Sequence, residues 1–521
     1  MYAAKTNRRD FLKALSLGAA SLTAASSVGG RFKQSLDPFI SDPSSSSACG
    51  CQPSTDKSRK RYNVLLICVD DLRPQLGCFG HRDMISPNID RLAGEGRLFA
   101  RHYVQSAVCG PSRCSMLMGK RIDSWDCWKE LRKERTEPAY PTSIAHLFRR
   151  NGYHTVCIGK VSHQPGGVMD EQQKVHQVPF SWDLAYAPVG PWKTPWRAFF
   201  SYAGGKAYNK VIRMEKDEPR IPYESADVPD TGYADGLNAE QAVRQLRDLK
   251  QRGRPFFLAV GFYKPHLPFN APKKYWDLYE PDRIQLAYNT YAPKNVDAQI
   301  SIHNSFELTT HYAWPSGPGN ISDEQARTLR HAYFACVSYV DAQIGKVLDE
   351  VKRLRLDQDI VIVLWSDHGW HLGEHGMFGK QTNFEVAVRS PLIVKVPAIP
   401  EPGKRAHGLV ETVDLYPTLS ELCGLEAPDD LAGISLLPMI CDPEHHGKRY
   451  TYSFHPRGPL MGRTLRTNRH RVVHWTDKQG KTVQVELYDH RLDPDENENI
   501  AAQHPEIVGR LLPKLRKLKQ E

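Results

Sequence analysis

The chain has 521 residues, a formal net charge of +10 at pH 7, 40% hydrophobic residues and 25% charged ones. That is more chain than one ordinary core holds, so a large and a small unit are expected, in a protein of soluble globular composition. The modest charge forms no basic stripe with interleaved aromatics, which argues against nucleic acid as a partner and suits steering of an anionic substrate.

Asn7-Arg8-Arg9-Asp10-Phe11-Leu12-Lys13 precedes a weakly hydrophobic run from Ala14 to Val28, rich in Ala, Ser and Leu. A twin arginine ahead of a mild apolar segment reads as a bacterial Tat-type export signal over residues 1–33, with a basic amphipathic helix as the competing reading. The run is too short and too rich in small polar residues to span a membrane, and no other stretch is long enough. No transmembrane segment is therefore expected, and the address is periplasmic or secreted. Residues 34–60 are Ser/Pro-rich and read as a linker. Eleven cysteines show no disulfide or zinc spacing. Cys68, Cys157 and Cys336 fall within apolar runs and read as buried thiols, a usage that fits folding in a reducing compartment before export.

From Tyr62 onward strand and helix signals alternate, which predicts an α/β unit over residues 61–442, its large, mostly parallel sheet sandwiched by helices. Tyr62-Asn63-Val64-Leu65-Leu66-Ile67-Cys68-Val69 looks like a strand buried on both faces and ends in Asp70-Asp71. Cys109-Gly110-Pro111-Ser112-Arg113 predicts a helix beginning just after Cys109, with Pro111 at its first position, where a missing N–H costs nothing. The free N–H groups of that helix would point at an anion beside Cys109. Arg113, one turn on, is placed either to fix the Cys109 side chain or to hold the anion. Residues 154–158 and 255–260 are further strands. Between Gln164 and Asp230 the chain is rich in Gly, Pro and aromatics and reads as a long irregular stretch. Its Trp182, Trp192 and Trp196 are read as sugar-stacking platforms or as anchors of the loop.

Ser322-Asp323-Glu324-Gln325 is a capping-box start for a helix reaching about Leu354. Ile360-Val361-Ile362-Val363-Leu364-Trp365 repeats the buried-strand pattern and runs into Ser366-Asp367-His368-Gly369. Acid pairs after two buried strands lie where open α/β sheets put their ligands, and they suit a hard divalent cation. Residues 391–396 read as a strand and Asp414 to Cys423 as a helix. Over residues 443–521 short polar strands, such as 471–475 and 483–487, precede a last basic helix, which predicts a small antiparallel sheet with one helix.

Cys109-Gly110-Pro111-Ser112-Arg113, running into Leu117-Met118-Gly119-Lys120-Arg121, resembles the sulfatase signature, whose cysteine is oxidised after translation to formylglycine. Met118 stands where the family usually carries threonine. Val69-Asp70-Asp71-Leu72-Arg73, Ser86-Pro87-Asn88-Ile89-Asp90-Arg91-Leu92-Ala93 and Ser366-Asp367-His368-Gly369 resemble the type I sulfatases of the alkaline-phosphatase superfamily. Ile158-Gly159-Lys160-Val161-Ser162-His163, the run from Phe257 through Lys264-Pro265-His266 to Phe269, Tyr333 to Tyr339, and His368 to Gly376 are similar to the iduronate-2-sulfatase branch. The likeness runs from about Tyr62 to about Pro417, with a gap between Gln164 and Asp230. Beyond Pro417 only fragments such as Leu487-Tyr488-Asp489 match.

The resemblance implies an alkaline-phosphatase-like fold and one calcium ion ligated by Asp70, Asp71 and Asp367, with Cys109 and His368 in the metal shell. Neutral imidazole is a poor calcium ligand, so His368 alternatively holds the nucleophile. It implies that one hydroxyl of hydrated formylglycine attacks sulfur and the other expels the sulfate. Arg113, Lys160 and Lys380 would neutralise the sulfate, with His163 and His266 as proton-transfer groups. The implied partners are a sulfated saccharide as substrate and a formylglycine-generating enzyme during maturation. The first substrate expected is a 2-O-sulfated uronic acid in polysaccharide fragments, the second a sulfated algal sugar; Arg197, Arg457 and Arg463 are candidates for the uronate carboxylate. The alternatives are an arylsulfatase, a phosphatase or phosphonate hydrolase of the same superfamily, or a non-catalytic sulfated-glycan-binding protein if Cys109 stays unmodified. A tyrosine-phosphatase-like mechanism would need arginine where Ser115 stands.

Overall fold

The main sheet consists of β1 (Asn63–Val69), β2 (Arg97–Tyr103), β3 (His154–Gly159), β4 (Leu184–Tyr186), β5 (Phe256–Phe262), β6 (Ile360–Ser366), β7 (Leu392–Lys395) and β8 (Arg405–Glu411). The computed structural model describes residues 61–518 except 123, 125–126, 132–135, 171–174, 211–217 and 315–320. The predicted export signal and linker lie outside the described residues. Across the sheet the order is β8-β2-β7-β6-β1-β5-β3-β4. Only β7 runs against its neighbours; every other adjacent pair is parallel.

Successive strand residues point to opposite faces, so strands that are apolar throughout must be covered twice. On one face Leu65, Ile67, Leu258, Val260, Ile362 and Leu364 meet α1 (Pro87–Glu95), α4 (Ala234–Arg252) and α5 (Asp323–Arg353), and on the other Val64, Leu66, Phe257, Ala259, Val361 and Val363 meet α2 (Cys109–Met118), α3 (Ile144–Arg150) and α6 (Leu415–Leu422). Burying each large aliphatic side chain contributes about 1.5–3 kcal/mol relative to exposure. The α/β sandwich expected from the strand runs is the observed architecture.

Two local expectations are corrected. Helix α2 begins at Cys109 itself, capped by Val108, whose carbonyl accepts from Ser112 N at 3.0 Å. Pro111 is thus its third residue, which proline tolerates because the first N–H groups of a helix lack intrahelical partners. The Gln164–Asp230 stretch is not irregular throughout: it supplies β4, which extends the sheet beyond β3, and a short helix, Pro195–Phe199. Elements of three to five residues are too short for a hydrophobic period to register.

The C-terminal part is an antiparallel meander of β9 (Thr451–Arg457), β10 (Leu460–Arg466), β11 (His470–Thr476) and β12 (Thr482–Asp489), followed by α7 (Pro505–Leu518). Leu511 and Leu515 of α7 cover Tyr452, Phe454, Leu465, Val472 and Leu487 on one face of the meander. The opposite face meets the main sheet unit, where Ser453 Oγ donates to Val104 O and buried Arg471 pairs with Glu385 and Glu496. Cys441 is disulfide-bonded, which corrects the reading of unpaired cysteines. No local spacing around Cys441 marks this pairing. The remaining described cysteines are free thiols, Cys68, Cys157 and Cys336 among them and buried. No helix of the described residues is long and apolar enough to cross a membrane.

The capping box predicted for α5 is present in both directions between Ser322 and Gln325. Helix α1 is capped differently, since Ser86 makes no side-chain cap bond. Instead Asp341, buried in the middle of α5, accepts from Asn88 N at 3.1 Å, Ile89 N at 2.8 Å and Asn88 Nδ2 at 2.8 Å. Asp341→Ala should therefore lower stability by about 2–3 kcal/mol, since it leaves buried N–H groups unpaired. Equilibrium denaturation with an unchanged midpoint would show that α1 holds without this cap.

Candidate active site

Four adjacent parallel strands deliver side chains from their carboxyl ends in sheet order: Asp367 and His368 after β6, Asp70 and Asp71 after β1, Lys264 and His266 after β5, Lys160 and His163 after β3. Two glycines allow these ends to converge. A Cβ on Gly159 (φ +68°) would lie 2.1 Å from Gly261 O, and one on Gly261 would lie 2.1 Å from Lys160 O. Asp71 itself holds a left-handed backbone, φ 62°. Its N–H donates to Asp367 Oδ1 at 3.1 Å and its carbonyl accepts from Tyr333 Oη at 2.8 Å, so contacts from two other elements fix a conformation that is otherwise sparsely populated.

Cys109, at the start of α2, points into this convergence. His368 Nε2 lies 3.3 Å and Lys380 Nζ 3.5 Å from its Sγ. One ligand atom each from Asp70, Asp71, Cys109 and His368 lies within 4.8 Å of the others. Asp367 adjoins that set, its Oδ1 3.7 Å from His368 Nε2. Burial, with Asp70 acting in the same direction, pushes the Cys109 thiol well above its ordinary range despite Lys160 and Lys380. The unmodified sulfur is thus a neutral, poor nucleophile.

The cations sit on the acids. Lys160 Nζ donates to Asp70 Oδ2, and Lys380 Nζ donates to both oxygens of Asp71 at 2.9 and 3.0 Å. Arg113 does not face an open anion pocket: Nε donates to Asp367 Oδ2 at 2.9 Å, Nη1 to the carbonyls of Lys160 and Val161, and Nη2 is 3.5 Å from Asp70 Oδ1. Arg113 is expected from the sequence to fix the Cys109 side chain or to hold the anion; its contacts here are instead with the acids and the backbone around them. Burial opposes every one of these charges. Lys160 and Arg113 nevertheless hold Asp70 well below the carboxylate range, and Asp71 holds Lys380 well above its own. Asp71 goes the other way, pushed up to about 7 by burial despite Lys380 and His368.

The histidines differ. His368 Nδ1 faces Gly369 O at 3.0 Å, and its Nε2 points towards Cys109 Sγ and towards Asp71 Oδ1, 3.4 Å away. This suits either reading of His368. Burial and Lys160 depress His163 to about 3, its Nδ1 has no hydrogen-bond partner, and its ring meets Trp196 edge-on at 5.8 Å. His266 Nδ1 faces Leu267 O at 2.6 Å, and its Nε2 lies 3.2 Å from Glu307 Oε1. Burial and Lys380 lower its pKa while Glu307 opposes them.

Glu307 escaped the sequence reading; it also lies 3.5 Å from Lys380 Nζ, and no acid pair or buried strand precedes it. Buried Asp235 was missed as well, although it accepts from Tyr263 N and Lys264 N and so holds the turn that carries His266. The tryptophans separate. Trp192 is fully buried with Nε1 bonded to Tyr202 O, and Trp182 packs beside Phe257, so both pin the chain. Half-buried Trp196 stands at the site together with Phe199, whose ring lies 4.2 Å from Lys160 Nζ. Arg197 lies on that same short helix. Arg463 is on the wrong face: directly opposite Phe454 across the strand pair, it shares the side of the meander that α7 covers. Among the described residues the other group able to hold a metal is Glu385, His490 and Glu496, and there Arg471 already pairs with both acids.

Comparison with known proteins places the chain in a family. The sulfatase family model matches residues 62–425, and a model for the C-terminal part of N-sulphoglucosamine sulphohydrolase matches residues 373–521. The chain is 36% identical to the iduronate 2-sulfatase of Mus musculus over 398 residues, 70% of this chain and 69% of that protein. Among solved structures it is similar to a phosphonate monoester hydrolase from Silicibacter pomeroyi (TM-score 0.70, 23% identity, 88% of this chain and 95% of that one). It is also similar to a 2-O GAG sulfatase (TM-score 0.63, 22% identity, 88% and 92%). At these identities the structural likenesses establish the alkaline-phosphatase-like fold. The sequence matches go further: the chain belongs to the sulfatase family and is a sulfuric ester hydrolase.

Proposed function

We propose that this sulfatase removes sulfate from fragments of sulfated polysaccharide, with a 2-O-sulfated uronic acid as first substrate and sulfated algal sugars as second. It would act after oxidation of Cys109 to formylglycine by a maturation enzyme, and with one bound calcium ion. The observation that carries the reading is Cys109 at the start of a helix, between His368 and Lys380 and beside three carboxylates, with a thiol too basic to attack as it stands. The likeness to iduronate 2-sulfatase supports the uronate. The twin-arginine segment supports export.

Hydrated formylglycine would supply an attacking hydroxyl at position 109. His368 Nε2, 3.3 Å from Sγ, is placed to accept a proton there. Lys160, Lys380 and Arg113 hold the acids in place and balance negative charge as it develops on the sulfuryl group. His266, with Glu307 beside it, faces the space where a leaving sugar oxygen needs a proton, whereas His163, depressed to about 3, is neutral there and suited only to accept one. The donor set fits a hard cation. Asp70 Oδ1 is buried without a hydrogen-bond partner, beside two further carboxylates. Asp70, Asp71 and Asp367 would hold calcium, which when bound would polarise a sulfate oxygen.

Cys109→Ala should cut release of free sulfate on the order of 10³-fold or more while leaving the unfolding midpoint unchanged. Mass analysis of the tryptic peptide containing Cys109 in the active protein should show the aldehyde form. Full activity with an unmodified cysteine would refute the nucleophile.

Metal binding should depend on pH in a set direction. Burial raises Asp71 to about 7 in the metal-free site, so below that value a proton competes with the cation. Calcium affinity, followed by calorimetry, should fall as pH drops from about 8 to about 6. Asp367→Asn should weaken binding and cut turnover about 10²-fold. Affinity that is flat with pH, or full turnover after exhaustive chelation, would exclude this ligand set.

A further inference from the structure

In β9 the alternation of side chains decides which residues look towards the main unit. Tyr452 and Phe454 lie under α7, whereas Ser453 on the other face donates to Val104 O. By parity His455 and Arg457 share the face of Ser453. There Arg457 Nε donates to Ile300 O at 3.2 Å and Nη2 to Gln381 O at 3.1 Å. Gln381 directly follows Lys380, and its own N–H is tied to Ala107 O at 3.1 Å, two residues before Cys109. The guanidinium therefore sits at the edge of the candidate active site, on the strap that carries one of its lysines.

Its surroundings are unusual for a half-buried arginine. Three other arginines of the meander, Arg466, Arg469 and Arg471, each pair with a carboxylate, while Arg463, on the opposite face, donates to Thr476 Oγ1. Among the described residues Arg457 pairs with no carboxylate, and burial alone lowers its pKa to about 10. Its charged neighbours are further potential cations, His303 and His455, both depressed by burial, and Arg457 adds to the depression of each. A guanidinium has five N–H donors, and the two carbonyls use two of them. A desolvated, always-charged fork with donors to spare is what a planar anion recognises.

We propose that Arg457 anchors a second anionic group of the substrate, a sugar carboxylate or a second sulfate, while the scissile sulfate sits at Cys109. This rests on the reading of the site as one that cuts sulfated sugars, and it adds the requirement that the sugar be acidic twice over.

The test compares Arg457→Gln and Arg457→Lys with the parent enzyme. The substrates are a 2-O-sulfated uronate disaccharide, the same disaccharide with its carboxyl reduced to an alcohol, a neutral disulfated disaccharide, and 4-nitrophenyl sulfate. Arg457→Gln keeps a donor for the two backbone carbonyls. It should raise KM for the doubly acidic sugars about 10- to 100-fold relative to the other two substrates, with little change in kcat. Arg457→Lys should recover part of the loss. An effect confined to the uronate assigns the carboxylate. An effect confined to the disulfated sugar assigns a second sulfate, and the anchor then stands while the uronate reading falls. Equal losses on all four substrates would reduce Arg457 to a support for the Lys380 strap and overturn the proposal, as would no change on any. If the parent turns over neither acidic sugar but does cleave 4-nitrophenyl sulfate, the anchor and the proposed substrate fall together.

Discussion

Arg113 reaches from helix α2 to the carboxylate that follows β6, to the carbonyls that follow β3, and to within 3.5 Å of the carboxylate that follows β1. It is fully buried, as are Asp70 and Asp367. Charges taken out of water cost several kcal/mol each, which mutual attraction offsets only when the partners are held in good geometry. Arginine suits that demand because it does not lose its proton and its fork binds several acceptors at once. Removing such a partner would leave carboxylates buried and uncompensated, at a cost of about 3–5 kcal/mol. The position of Cys109 follows from the same contact, since Arg113 lies one turn along from it and anchors the first turns of α2 to three strands.

Charge balance at the site then limits what it can hold. With all four acids ionised, Asp70, Asp71, Asp367 and Glu307 face Arg113, Lys160 and Lys380, which leaves one negative charge in a buried space. A divalent cation together with a singly charged sulfate ester would bring the total to neutrality. A trivalent cluster of the same composition without Glu307 would end positive with both bound. Glu307 thus has an electrostatic place in the site, although it is not a member of the convergent set of four carboxyl-terminal strand ends. The same argument explains why both lysines lie on carboxylates here, for each is the nearest available counter-ion.

How far the sequence exposes this depends on the range of the interaction. Strands β1, β5 and β6 are legible because continuous apolar runs have to be covered on both faces, and the acids follow them directly. Strands β2 and β8 escape, since Arg97, His102 and His407 interrupt their apolar pattern. The cap of α5 lies within four residues and is legible; that of α1 comes from Asp341, some two and a half hundred residues away, and is not. Glu307, Asp235 and the pairing of Cys441 are hidden for the same reason, because no local pattern requires them. Pro111 marked a helix start correctly but left its first residue uncertain by two positions, since several early positions tolerate a missing N–H.

The weakest part of the sequence likeness, between Gln164 and Asp230, proves to be in contact with the strongest. Phe199 lies over the Lys160 ammonium at 4.2 Å and against the His266 ring at 4.7 Å, while Trp196 meets His163. An aromatic face stabilises a cation by about 0.5–2 kcal/mol, and more as water is excluded. The short helix Pro195–Phe199 therefore closes over Lys160, His163 and His266, and the meander approaches the same site separately through Arg457 and the strap at Gln381. Since the sulfuryl chemistry is common to every substrate, residues at the strand ends have little room to vary. On the proposed reading, selection among sugars would fall to the two elements that reach the site from outside the sheet. Because the helix touches Lys160 and His266 and Arg457 holds the strap that follows Lys380, a change of sugar specificity there would, on the proposed mechanism, also alter the alignment of the sulfate.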